Sequence, residues 1–190
     1  MNRSQRLDPF GFFAVAVLAL AVAAAAQMTE KYSATAAVKA AGGAAATAPV
    51  TIEVTRKMSE KEAETLTAAF KTGGVAALRK ALTGVAPTGS VAIGNGKPVA
   101  TRLTIERPSD RGRMLTIVTD QPIALIGAGL PGAKPAAGFD FGIIDFVVDA
   151  SGNGSGTMSP AAKVTVKQGA FVVDEYSGEL IRLTGVKLLK

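Results

Sequence analysis

From Val50 to Arg56 apolar and polar residues alternate, with Val50, Ile52 and Val54 on one face and Thr51, Glu53 and Thr55 on the other. A period of two is that of a strand with one buried face. The pattern then changes. Ser59-Glu60-Lys61-Glu62 has capping-box spacing, in which the serine hydroxyl accepts from the backbone three residues on and the glutamate reaches back. Ala63, Leu66 and Phe70 mark one helical face, Gly73-Gly74 is a stop signal, and Val75, Leu78 and Leu82 form a second stripe before Gly84. Together these predict a helical hairpin.

From Gly89 onward the period returns to two. Thr101 to Arg107 sets Leu103 and Ile105 against Arg102, Thr104 and Glu106, and a polar turn at Pro108 to Gly112 leads into Met114 to Thr119, which predicts a hairpin. Phe141 to Asp149 and Ala162 to Lys167 flank the turn Ser151-Gly152-Asn153-Gly154. Two last strands, Ala170 to Tyr176 and Glu179 to Leu188, are punctuated by Gln168-Gly169 and Ser177-Gly178. Strands at this spacing without intervening helices argue for an antiparallel meander. The expected class is α+β: one strand and a helical hairpin, followed by an antiparallel β-meander closing into a sandwich or open barrel.

Ahead of this stands a different kind of sequence. Arg3 and Arg6 precede an apolar run from Phe10 to Ala26, and the chain turns polar at Gln27 and Glu30. These are the three regions of a secretory signal, with Ala24 and Ala26 supplying the small-x-small exit. The run is at the short limit for spanning about 30 Å of hydrocarbon, and its second half is mostly Ala, so a cleaved signal is expected over a retained anchor. Gln27 to Ala48 is dominated by Ala, shows no apolar stripe and ends at Pro49, so it is read as a tether or frayed helix. The expected division is thus a signal peptide over 1–26, an Ala-rich tether over 27–48 and a single globular domain over 49–190.

Composition narrows the chemistry. The chain has no Cys and no His, which removes Cys and His nucleophiles and bases, Ser/His/Asp triads and His/Cys zinc sites. Disulfides and a lipid-modified N-terminal cysteine are excluded as well. Loss of 1–26 would remove two basic residues and one acidic residue from a chain of net charge +6, leaving +5. A mildly basic protein outside the cytoplasm, in a periplasmic or extracellular setting, meets apolar or anionic envelope ligands rather than nucleic acid, and keeps no stable membrane anchor. The short cluster Arg107, Arg111 and Arg113, broken by Pro108, Asp110 and Gly112, reads as a solvated turn.

Several segments imitate known sites. Gly127-Ala128-Gly129-Leu130-Pro131-Gly132 has the glycine spacing of a dinucleotide loop, with Asp149 downstream, but the prolines that follow leave no room for the helix that would meet a pyrophosphate. Asp149 to Gly154 repeats the first half of a calcium loop, yet Pro160 occupies the position of the bidentate Glu. No cofactor and no metal is therefore expected, and both segments read as loops. Asp140, Asp145 and Asp149 lie along one strand; Asp145 and Asp149 share a face about 13 Å apart, too far for paired glycosidase carboxylates. Asp174-Glu175-Tyr176 reads as a charged strand end.

Thr119-Asp120-Gln121-Pro122-Ile123 (TDQPI) follows an apolar strand, with Pro122 ending the ladder and Asp120 placed to cap the turn. With the strand ending in Asp149, the turn DASGNGSG and the closing IRLTGV, it resembles a group of uncharacterised exported bacterial proteins. That group would carry TDRPI, so Gln121 replaces a charge. The resemblance implies export and a strand-rich fold, and no activity, cofactor or catalytic residue. The function expected first is a non-enzymatic exported binding or structural domain. A small apolar-ligand or lipid carrier is the second expectation, and a carboxylate-based hydrolase of cell-wall or other glycans the third.

The signal makes one measurable claim. Intact-mass analysis of protein recovered from the periplasm or medium should show a chain starting at Gln27; a membrane-bound chain starting at Met1 would contradict it.

Overall fold

The computed structural model describes residues 29–39, 45–123, 137–167, 170–175 and 181–189. The chain order is β1 (Glu30–Lys39), β2 (Ala45–Val54), α1 (Glu60–Gly84), β3 (Gly89–Ile93), β4 (Val99–Ser109), β5 (Gly112–Thr119), β6 (Phe141–Val148), β7 (Asn153–Lys167), β8 (Ala170–Glu175) and β9 (Ile181–Leu189). The strands lie in the order β6-β5-β4-β3-β2-β1-β9-β7-β8, and β6 also pairs with β7. That last pairing closes a ring of eight antiparallel strands, with β8 outside it. The fold is mostly β, a closed barrel rather than an α+β sandwich or open barrel.

Closure depends on the length of β7. Gly154 to Ala162 pairs with β6, Asn153 to Met158 with β9, and Ala162 to Lys167 with β8. One half of the strand thus completes the ring while the other carries an extra strand away from it. The expected hairpin between β4 and β5 is present, turning at Ser109 and Gly112.

The stretch read as a tether is strand. Glu30–Lys39 pairs along its length with β2 and also with β9, and Ala45–Val54 extends the expected Val50 strand toward its N-terminus. The barrel therefore starts at Glu30 and not at Pro49. Period two was present there in muted form: Tyr32, Ala34 and Ala36 are buried, while Lys31, Ser33 and Thr35 are exposed or half-buried. Alanine carries little hydrophobic signal, so the alternation was hidden by the Ala content. An eight-stranded barrel has an interior just wide enough for side chains, and small residues beside large ones let it fill.

The interior holds Tyr32, Ile52, Leu115, Ile117, Ile144, Phe146, Met158 and Leu183, each under 2% exposed. Tyr32 and Phe146 meet edge to face, with ring centroids 5.0 Å apart. Outside, Lys31, Arg182, Thr184 and Lys187 are exposed. Along β1 and β9 the inward face is thus apolar and the outward face polar, the reverse of a lipid-facing wall.

A second apolar cluster lies on the outer wall, where Leu66, Phe70 and Leu82 of α1 pack with Met58, Phe141 and Val164. Ser59 caps α1 as its spacing predicts: the Glu62 N–H donates to Ser59 Oγ at 3.3 Å, and the Ser59 N–H donates to Glu62 Oε2 at 2.8 Å. The expected helical hairpin is replaced by one helical element, Glu60–Gly84, whose geometry breaks at Gly74 (φ 64°, ψ −155°). Glycine takes that left-handed φ without steric cost, so the chain bends there without a connecting loop. Both ends of the element return to the same place, because the Thr55 and Arg56 N–H groups donate to the Thr88 carbonyl at 2.9 and 3.2 Å.

Because β1 is a ring member, a chain beginning at Pro49 should lose the cooperative thermal transition that the chain from Gln27 shows by circular dichroism. Retention of the full melting temperature would show that β1 is dispensable.

Candidate functional site

Polar side chains converge at one end of the barrel. Glu30 opens β1, Tyr32 follows on its inward face, Glu106 and Arg113 are diagonal neighbours across the β4–β5 hairpin, and Lys57 comes from the connection into α1. Arg113 Nη1 donates to Glu30 Oε1 at 2.8 Å and Glu106 Oε2 at 2.9 Å, and Arg113 Nη2 donates to Tyr32 Oη at 3.0 Å. Lys57 Nζ meets the same two carboxylates at 3.2 and 2.6 Å, and the Tyr32 hydroxyl donates to Glu30 Oε2 at 2.5 Å. Two carboxylates and two cations thus balance over a closed set of hydrogen bonds.

Burial alone would raise the Glu30 pKa, but the donors Tyr32, Arg113 and Lys57 outweigh it and hold the carboxyl below its ordinary value. Burial and the hydrogen bond to Glu30 push the Tyr32 phenol up, so it remains a donor. Burial would lower Arg113, and the hydrogen bond to Glu30 with the surrounding negative charge raises it instead. A general acid needs a carboxyl whose pKa is raised. Glu30 moves the other way, and each member is committed to its neighbours. The cluster is built to tie β1, β4, β5 and the α1 connection together at the barrel mouth.

Next to this mouth, Thr88, Thr101 and Thr104 bury their hydroxyls together. Thr88 and Thr101 Oγ1 lie 3.0 Å apart, and Thr104 Oγ1 lies 2.9 Å from Thr88 Oγ1. Ser159 Oγ is buried without a hydrogen-bond partner, and nothing in the structure explains it.

The carboxylates singled out from sequence are scattered. Asp140 pairs with Arg79 at 3.3 Å. Asp145 accepts from Thr116 Oγ1 at 2.5 Å across the β5–β6 pair. Asp149 is exposed at the β6–β7 turn, where its Oδ1 accepts from the Ser151 hydroxyl and N–H and the Asn153 N–H at 2.6, 2.8 and 3.0 Å. The Ser151 hydroxyl first, then the backbone donors, hold its pKa down. The calcium-like segment is therefore an Asx-type hairpin turn whose carboxylate faces donors. Asp174 is exposed on β8, opposite Lys163 in register. Tyr176, the glycine loop 127–132 and the signal exit at Ala24 and Ala26 lie outside the described residues, as do the side chain of Glu175 and its surroundings. Among the described residues, no three acidic side chains are grouped as a metal site.

Two expectations are corrected here. Of the basic turn cluster, Arg107 and Arg111 are exposed, but Arg113 is at the centre of the mouth network. In TDQPI the capping residue is Thr119, whose Oγ1 accepts from the Gly142 N–H at 2.7 Å and donates to the Gln121 carbonyl at 2.5 Å. Asp120 instead pairs with Arg102 Nε at 2.8 Å, while Arg102 Nη1 donates to the Val85 carbonyl at 3.0 Å and anchors the end of α1. Ile123 is 2% exposed and lies over Gly142, where a Cβ would sit 2.6 Å from Ile123 Cγ1.

The network is not visible to sequence reasoning, because Glu30 and Tyr32 fall in the Ala-rich stretch whose strand pattern is muted. The signal available was weak: an acidic residue and a tyrosine two apart at the head of a muted alternation.

A concave surface occurs on the other side of the wall. The two arms of α1 flank an open apolar groove of about 550 Å³, lined by Leu66, Ala77, Ala81 and Val85 with Glu62 and Lys80 at its edges. Arg56 bridges the arms at one end, donating to Glu62 Oε1 at 3.0 Å and to the Ala86 carbonyl at 3.1 Å.

In comparison with known proteins, the chain matches no family model, no curated protein and no solved structure.

The network sets an acid limit on stability. A depressed carboxylate pKa contributes stability above the unfolded value, and that contribution is lost as pH falls through the folded value. Denaturant titrations should show stability from this group intact above about pH 5 and declining below the ordinary glutamate value of about 4.3. Glu30→Gln should cost about 1–3 kcal/mol at pH 7, since its partners are only 28–34% exposed, and should flatten the acid limb. An unchanged acid limb in that variant would remove Glu30 from the account.

Proposed function

We propose that this protein is a non-enzymatic binding domain, exported to the periplasm or outside the cell, that takes an apolar ligand on the outer face of its barrel. The observation that carries the reading is the division of concave and convex surface. The barrel lumen is occupied by its own side chains and its mouth is bound by ion pairs, whereas the groove between the arms of α1 is open and apolar. Its volume falls within the range of small-molecule sites, about 300–1,000 Å³. The resemblance to exported proteins and the apolar run at Phe10 to Ala26 support the location.

The lumen-carrier form of this idea is less well supported, because ligand-carrying barrels of this strand number keep interior space that here holds Tyr32, Phe146 and the branched residues around them. A glycan hydrolase would need a protonated carboxyl beside its partner. The converging carboxylates, Glu30 and Glu106, share Arg113 and Lys57 instead.

The uncharged fluorescent probe N-phenyl-1-naphthylamine should bind saturably with one site per chain, and the protein should not hydrolyse cell-wall glycans. Absence of saturable binding would overturn the reading, as would a glycan-hydrolysing activity abolished by Glu106→Gln.

A further inference from the structure

We infer that the groove of α1 takes a single-chain fatty carboxylate, with the acyl chain along its apolar floor and the carboxylate at Lys80. The inference rests on the proposed binding role and specifies the ligand of that same site.

The argument begins with the shape of the groove. Gly74 sets the bend that faces one arm of α1 toward the other, and Arg56 fixes the opposite end by holding Glu62 of the first arm and the Ala86 carbonyl just after the second. The capping box adds two further bonds to Glu62. Both ends of the groove are thus set by the fold, and a pre-formed site loses less on binding than one that must be ordered. Along the second arm the lining residues Ala77, Ala81 and Gly84 are small, which leaves width between the arms for an unbranched chain. Leu66 and Val85 supply apolar contact from the first arm and from the residue ending the second.

Charge then selects the head group. Two charged side chains border the groove, and they are not equivalent. The Glu62 carboxylate is committed to Arg56, the Ser59 N–H and the Ser59 hydroxyl, and the Ser59 N–H and hydroxyl, followed by Arg56, hold its pKa below the ordinary value. Lys80 is exposed and makes no ion pair among the described residues. The uncompensated charge at the groove is therefore positive, beside an apolar floor, which is the pattern complementary to an anionic amphiphile. The volume accommodates one small ligand in a cleft and does not present the broad apolar and basic face that a bilayer surface would require.

The test is titration calorimetry of the mature chain with sodium dodecanoate below its micellar concentration, beside 1-dodecanol, dodecyltrimethylammonium and phosphatidylglycerol vesicles. Dodecanoate should bind at one site and more tightly than dodecyltrimethylammonium. Lys80→Glu should weaken dodecanoate about tenfold or more and leave 1-dodecanol nearly unchanged. Thr65→Trp, at an exposed lining position whose hydroxyl only returns to the Lys61 carbonyl, should fill the groove and weaken both ligands while preserving the melting temperature. Equal affinity for dodecanoate in the parent and in a folded Thr65→Trp variant would overturn the site. Tighter binding of the cationic amphiphile, or binding to vesicles without binding of monomeric dodecanoate, would overturn the ligand class. If N-phenyl-1-naphthylamine still binds saturably in that event, the apolar-ligand reading survives the loss of this inference; if it too fails, both fall.

Discussion

The pairing of β7 with β6 on one side and β9 on the other turns a row of strands into a ring, and the remaining features are arranged around that closure. A closed antiparallel ring has no edge strand within it, so each of its eight members pairs with a neighbour on both sides, although β3 meets β4 only over Val99 to Thr101. It also creates one surface that can be dry on all sides. The inward residues of eight strands then form a single apolar cluster running from Tyr32 to Val186. The small residues of β1 are part of this geometry: a lane with Ala34 and Ala36 makes space for the aromatic side chains of Tyr32 and Phe146 within an interior of fixed width.

Ring closure leaves two ends to be managed. At one of them the polar tip of Tyr32 reaches the mouth while its ring lies in the core, and Glu30, Glu106, Lys57 and Arg113 satisfy one another around it. In a partly buried cluster of this type each charge is offset by an opposite neighbour. Its members come from strands remote in sequence, so it marks correct ring assembly as well as contributing to it. The buried threonines at positions 88, 101 and 104 serve the same region with neutral hydrogen bonds where the chain re-enters the sheet.

The helical element occupies the outer wall and not the lumen. Leu66, Phe70 and Leu82 bury against Phe141 and Val164, on the opposite face of the wall from the barrel core. Arg102 ties its end to Asp120 of the TDQPI segment, which places that motif in a structural role. The lumen is already occupied, whereas α1 presents an open apolar groove among the described residues, and its bend at Gly74 is what makes that face concave.

What the amino-acid sequence determined by itself is local. The capping box at Ser59, the strand period through Val50 to Val54, the β4–β5 hairpin and the β6 strand with its turn at Asp149 were all legible, because caps, alternation and turn residues act over a few positions. The lack of Cys and His limited the chemistry in the same direct way. Only the tertiary structure decided that β1 is a strand, since Ala34 and Ala36 are apolar enough to line a barrel but too small to announce it. Only the tertiary structure decided that the sheet closes, because closure depends on how far β7 runs and which neighbours each part of it finds. The mouth network belongs to the same class. Glu30 and Arg113 are 83 residues apart, and nothing local distinguishes them from solvated charges until the ring brings them within 2.8 Å.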